Sequence, residues 1–124
     1  MAASLDAVIT EATTVRAGRV GEFDPRRRSA SKALFVVNER AVIEELRWCL
    51  ELVERSLVEE HAFMTPGVLE LCFLKGHSLL ARVALLSPDF IRWDGWAGDA
   101  LLRDGERLLS WLRARGWDDG GMMR

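Results

Sequence analysis

Few side chains in this 124-residue chain could do acid–base or nucleophilic chemistry: two histidines, His61 and His77, and two cysteines, Cys49 and Cys72. A catalytic histidine needs a carboxylate or a nucleophile within hydrogen-bonding reach. Neither His61 nor His77 has one at a recognisable spacing, and their neighbours lack the HxxxH or mixed Cys/His order that zinc requires. Asp89, Asp94, Asp99 and Asp104 recur every five residues in a glycine-containing stretch and offer oxygens to a hard cation. That run lacks the alternating ligand order of a calcium loop, and each aspartate has a simpler role as a turn former or helix cap. There is no GxxxxGK[ST], no GxGxxG behind a strand and no GxSxG. The expectation is therefore no metal and no cofactor. An enzyme using His61 or His77 with a loop aspartate is kept as a minor alternative.

Contact chemistry is better represented. The chain holds five tryptophans and no tyrosine, and Trp and Arg are the side chains most enriched at binding hot spots. Trp48 and Trp111 fall on helical patterns, where they complete a core. Trp93 and Trp96 instead lie in Ile91-Arg92-Trp93-Asp94-Gly95-Trp96, a strand end running into a loop. Arg92, Trp93 and Trp96 are thus the expected partner-binding patch, provided the rings do not fold back over the sheet. Glu44, Glu45 and Glu51, on the wet side of a helix, would add an acidic edge for a basic partner.

The strongest basic feature is Arg26-Arg27-Arg28, flanked by Arg16, Arg19 and Lys32. Such a run can neutralise phosphates. Glu22 and Asp24 dilute it, however, and no RNA-binding aromatic motif accompanies it. Nucleic-acid binding through Arg26, Arg27 and Arg28 is the alternative to protein binding. The local charge runs from +2 over residues 1–37 to -4 over residues 38–60 and balances beyond, giving -2 overall. No field broad enough to hold nucleic acid follows from that distribution.

The elements that must position these residues follow from periodicity. Residues 7–16 are rich in β-branched side chains and predict a strand. Gly18, Gly21, Asp24 and Pro25 break it, and residues 33–37 predict a second strand, with Asn38 placed to cap a helix. That helix is expected over 39–52, with Val42, Ile43, Leu46, Cys49, Leu50 and Val53 on one apolar stripe. Residues 56–59 fit a short helix or a strand equally.

Thr65-Pro66-Gly67 marks a turn before strands at 68–74 and 79–86. A tight two-residue connection between those strands would set Leu71 against Arg82 on the apolar face. Grouping Leu69, Leu71 and Phe73 with Leu79, Ala81, Val83 and Leu85 needs an odd-length loop instead. Glu70 and Arg82 then become diagonal neighbours on the other face. A third strand at 90–93 completes a meander, residues 94–98 form a loop, and a helix spans about 104–115. Asp104 starts that helix, Leu108, Leu109, Trp111 and Leu112 form its stripe, and Gly116 stops it.

The expected fold is α+β: a small antiparallel sheet of about four or five strands, including the C-terminal-half meander, covered on one face by two helices. Length and composition, 49% hydrophobic and 29% charged, fit one domain over residues 1–117 with a flexible tail at 118–124. Two unpaired cysteines without CxxC, no signal-like start and no apolar run near about 18 residues favour a cytoplasmic protein. Fifteen of the 17 basic residues are arginine, an association with GC-rich bacterial coding. The leading functional expectation is a small non-catalytic intracellular protein-binding module. Size and charge alone suggest an inhibitor, an immunity or antitoxin-like factor, or an adaptor. A homo-oligomer through the same tryptophans is compatible with it.

Overall fold

The computed structural model describes residues 4–24, 33–53, 67–87, 89–93 and 100–117. Its first element corrects the strand expected over residues 7–16. Leu5–Glu11 is a helix, α1, and only Thr14–Gly18 is a strand, β1. The Ala7 N–H donates to the Ser4 hydroxyl at 3.1 Å, which satisfies one of the orphan donors at a helix start. Leu5, Ile9 and Ala12 are buried at three- and four-residue steps. Burial of that stripe outweighs the weak strand preference of Val8, Ile9 and Thr10. Arg40 closes the far end, donating to the carbonyls of Ile9 at 3.4 Å and Ala12 at 3.0 Å.

After β2, Phe35–Val37, the second helix α2 runs over Arg40–Cys49. Asn38 does not cap it, because the helix begins one residue later than that role requires. Glu39 occupies the cap position without a side-chain bond. Ile43, Leu46 and Cys49 are buried as their spacing demands, but the helix stops short of residue 52. The cause is a competing set of backbone bonds: the Val53 N–H donates to the Leu101 carbonyl at 3.0 Å, and the Arg103 N–H to the Glu51 carbonyl at 2.8 Å. Residues 51–53 therefore run beside the sheet, and Val53 leaves the helical stripe for the surface.

Strands β3 (Leu69–Lys75), β4 (Ser78–Leu85), β5 (Phe90–Trp93) and β6 (Ala100–Leu101) form the expected meander, with β6 as an unanticipated addition. One antiparallel sheet results, in the order β2-β1-β3-β4-β5-β6. Six strands thus replace the expected four or five, and three helices the expected two, within the same α+β class. The third helix, α3, spans Gly105–Ala114. Its start is capped by Asp104, which accepts from the Arg107 N–H at 3.2 Å. Leu108, Leu109, Trp111 and Leu112 are buried, and Gly116 ends the turn with φ of 94°, a value glycine adopts without strain.

The hairpin solves its parity problem in an unexpected way. The loop is the tight two-residue turn Gly76-His77, with Lys75 opposite Ser78 and Leu74 opposite Leu79. A bulge then adds one residue to β4, so Phe73 faces Ala81, Leu71 faces Val83 and Leu69 faces Leu85. An extra residue in one strand shifts side-chain alternation by one, which does what an odd loop would have done. Leu80 therefore packs against the core, and Leu79, expected there, pairs with Leu74 on the opposite face.

The inner face of the sheet and all three helices share one core, centred on Phe73, Leu71, Ile43, Leu46, Ile9 and Leu112. On the outer face Glu70 and Arg82 meet as expected, at 3.0 Å. The Phe23 ring lies 4.6 Å from the Arg16 guanidinium and 5.7 Å from that of Arg82. Residues 56–59, Thr65, Pro66, the loop at 94–98 and the tail at 118–124 lie outside the described residues. Among the described residues, no helix is long and apolar enough to cross a membrane.

Candidate interaction surface

Of the described residues expected to meet a partner, Trp93 lies in the core, while Glu44, Glu45 and Glu51 are exposed or half-buried. Trp93 sits opposite Val83 on the inner face and is only 6% exposed. Strand alternation puts it beside Ile91 in the core, so its ring cannot anchor a partner, which corrects the expected patch. Arg92, between them, points to the outer face and is half-buried. Trp96 lies outside the described residues, as do Arg26, Arg27, Arg28 and His61.

The acidic residues of α2 are exposed or half-buried but already engaged. Glu44 accepts from Arg40 and, at 2.8 Å, from the Arg47 Nε. Those hydrogen bonds, Arg47's first, hold the Glu44 carboxyl below its ordinary 4.5. Glu45 lies 3.6 Å from Arg115, and Glu51 lies 3.2 Å from Arg103 and 4.0 Å from Arg107. The expected acidic edge is thus a lattice of surface ion pairs, screened by salt and weak individually.

Among the described residues the exposed tryptophan is Trp48, expected to complete the core but 61% accessible on α2. Its helix places it four residues after Glu44, on the wet side, and that spacing is the signal for it. Beside it opens a groove of about 420 Å³ between the first turn of α1 and the last turn of α2. Leu5, Ile9, Leu50 and Leu52 supply its apolar walls, and Asp6, Arg47 and Glu51 its charges. Arg47 spans the two helices, with its Nη1 2.9 Å from Asp6. An apolar concavity with a large ring beside it and a few oriented charges is the usual form of a recognition site.

The nucleophiles are poorly placed for chemistry. Burial pushes the Cys49 thiol up to about 11 and the Cys72 thiol up to about 12, so neither holds appreciable thiolate at neutral pH. Cys72 is 3.6 Å from the Glu70 carboxylate, which adds to the penalty on its charged form. His77 is exposed in the β3–β4 turn, Asp89 is exposed beside β5, and Asp104 is spent on capping α3. Among the described residues no group of three or more His, Cys, Asp or Glu is placed to hold a metal ion. Compared with known protein families, curated proteins and solved structures, the chain matches none. Every role considered for its residues therefore rests on its own geometry.

Proposed function

We propose that this protein is a non-catalytic protein-binding module whose contact centre is Trp48 and the apolar groove beside it. The observation that carries the reading is the 61% exposure of a tryptophan at the edge of a groove of about 420 Å³. A buried tryptophan covers about 150–250 Å², so enclosing the exposed part of Trp48 would release about 2–4 kcal/mol at about 25 cal/mol per Å². That is the scale of a binding hot spot. The surrounding ion pairs suit a polar rim that excludes water and sets orientation. Size and slight acidity fit a cytoplasmic stoichiometric inhibitor, an immunity or antitoxin-like factor, or an adaptor.

Two features make nucleic-acid binding the weaker alternative. Arg16, which flanks the arginine run in sequence, is 9% exposed beneath Phe23. Arg19 lies 3.9 Å from Glu22. The arginine run therefore gains little from these neighbours.

Capture with the tagged full-length protein, run in parallel with Trp48→Ala at low and moderate salt, tests the proposal. The expected result is an equimolar protein partner with the native chain and at least tenfold lower recovery with the variant, at an unchanged melting temperature. Equal recovery would remove the groove from the contact. Absence of any equimolar partner would remove the binding module itself.

A further inference from the structure

We infer that the groove receives an extended segment of a partner protein, which adds a strand beside Leu52 and seats a large apolar side chain against Trp48. The inference rests on the protein-binding reading and specifies what binds. Its basis is the way residues 51–53 lie along the sheet. Leu52 faces Leu102 in an antiparallel bridge. The bonds that make the bridge come from the flanking residues, Val53 N–H to Leu101 and Arg103 N–H to Glu51. In such a pair the two facing residues do not bond each other; each turns its own N–H and C=O to its other side. Leu102 behaves in this way, its N–H donating to the Asp89 carbonyl at 2.6 Å.

Leu52 must do the same in the opposite direction, away from the sheet. Among the described residues nothing bonds its N–H or its C=O. Among the described residues, 51–53 are the outermost segment at this end of the sheet, and Leu52 there presents one donor and one acceptor, the pattern an incoming antiparallel residue satisfies with two bonds. Leu52 also lines the groove together with Trp48. A strand paired there would carry alternate side chains towards one face, within reach of the apolar walls.

Charge narrows the partner further. The groove's three charged residues are all paired, Asp6 with Arg47, Glu51 with Arg103 and Arg107, and Arg47 with Glu44 as well. What favours a lysine or arginine beside the apolar residue is the exposed Trp48 indole, whose face attracts a cation and not an anion. The occupant is thus an extended, apolar and basic segment.

Selection of a displayed random decapeptide library on the full-length protein, with counter-selection on Trp48→Ala, supplies the probe. Enriched sequences should alternate apolar residues and carry Lys or Arg. One of them, resynthesised with a single N-methyl group at each position in turn, should lose affinity at least tenfold where its N–H pairs with Leu52. Methylation at the two adjacent residues should cost less than threefold. Uniform insensitivity to N-methylation would overturn strand pairing and leave the groove as a binding site. Enrichment of acidic peptides would overturn the charge assignment. A dimer in sedimentation equilibrium that Trp48→Ala abolishes would assign the groove to a second copy instead. Failure to enrich any Trp48-dependent peptide would remove both the strand and the groove.

Discussion

Deleting Leu80 should leave the hairpin intact, because the bulge is the one place in β4 where a residue can be lost without changing the partner of any other. With Leu80 present, Leu74 faces Leu79 and Phe73 faces Ala81. Without it, both pairs survive and Leu79 and Ala81 become consecutive residues of a regular strand. What is lost is the contact of one partly buried leucine with the core, about 0.8–1.5 kcal/mol if half of the usual burial gain applies. Deleting Val83 is different, although that side chain is smaller. Absorbing the bulge would then set Arg82 against Leu71 on the core face, and keeping the bulge would turn Leu85 outward. Either outcome costs several kcal/mol, a large part of the roughly 5–15 kcal/mol that holds a domain together. Urea denaturation followed by circular dichroism separates the two. A cooperative transition is expected for the Leu80 deletion, with little or no folded baseline for the Val83 deletion. Equal damage from both would refute the view that the bulge exists to set parity.

Three further outcomes follow from the buried and paired groups. Glu70, 6% exposed and 3.0 Å from Arg82, leaves a partly buried guanidinium uncompensated when changed to Gln. Glu70→Gln should cost about 1–3 kcal/mol in a urea melt, and an unchanged midpoint would contradict that pairing. Glu44 has a carboxyl lowered from 4.5 by Arg47 and Arg40. Its contribution is fully present above pH 4.5 and disappears as pH falls through the lower folded value; NMR titration should find that midpoint below 4.5 and nearer to it in Arg47→Gln. Cys49 and Cys72, raised to about 11 and about 12 by burial, should react with a disulfide reagent at pH 8 only as fast as the protein opens, and at once in urea. Immediate labelling of the native protein would contradict their burial.

Much of this architecture can be read from short-range periodicity, and apart from the two tryptophans the misreadings occur where a residue's position depends on a distant part of the chain. The faces of β3 and of β4 beyond its bulge, the span of β5, and the cap, stripe and stop of α3 all follow from spacing within about a dozen residues. Both tryptophan errors had a local signal. Trp93 alternates with Arg92 and so shares the face of Ile91, while Trp48 shares a helical side with Glu44. The β-branched content of residues 7–16 hid α1, whose stripe of Leu5, Ile9 and Ala12 pays off only when the core is there to receive it. The end of α2 was beyond any local rule, since residues 51–53 leave the helix to bond Leu101 and Arg103, far along the chain. The same distant pairing turns the backbone of Leu52 outward. The apolar half of the candidate site is therefore written in helical spacing, whereas its hydrogen-bonding half exists only once β6 has taken its place. A substitution that weakens the seating of β6, such as Ala100→Gly, should for that reason weaken an N-methyl-sensitive peptide more than it weakens a ligand held by Trp48 alone.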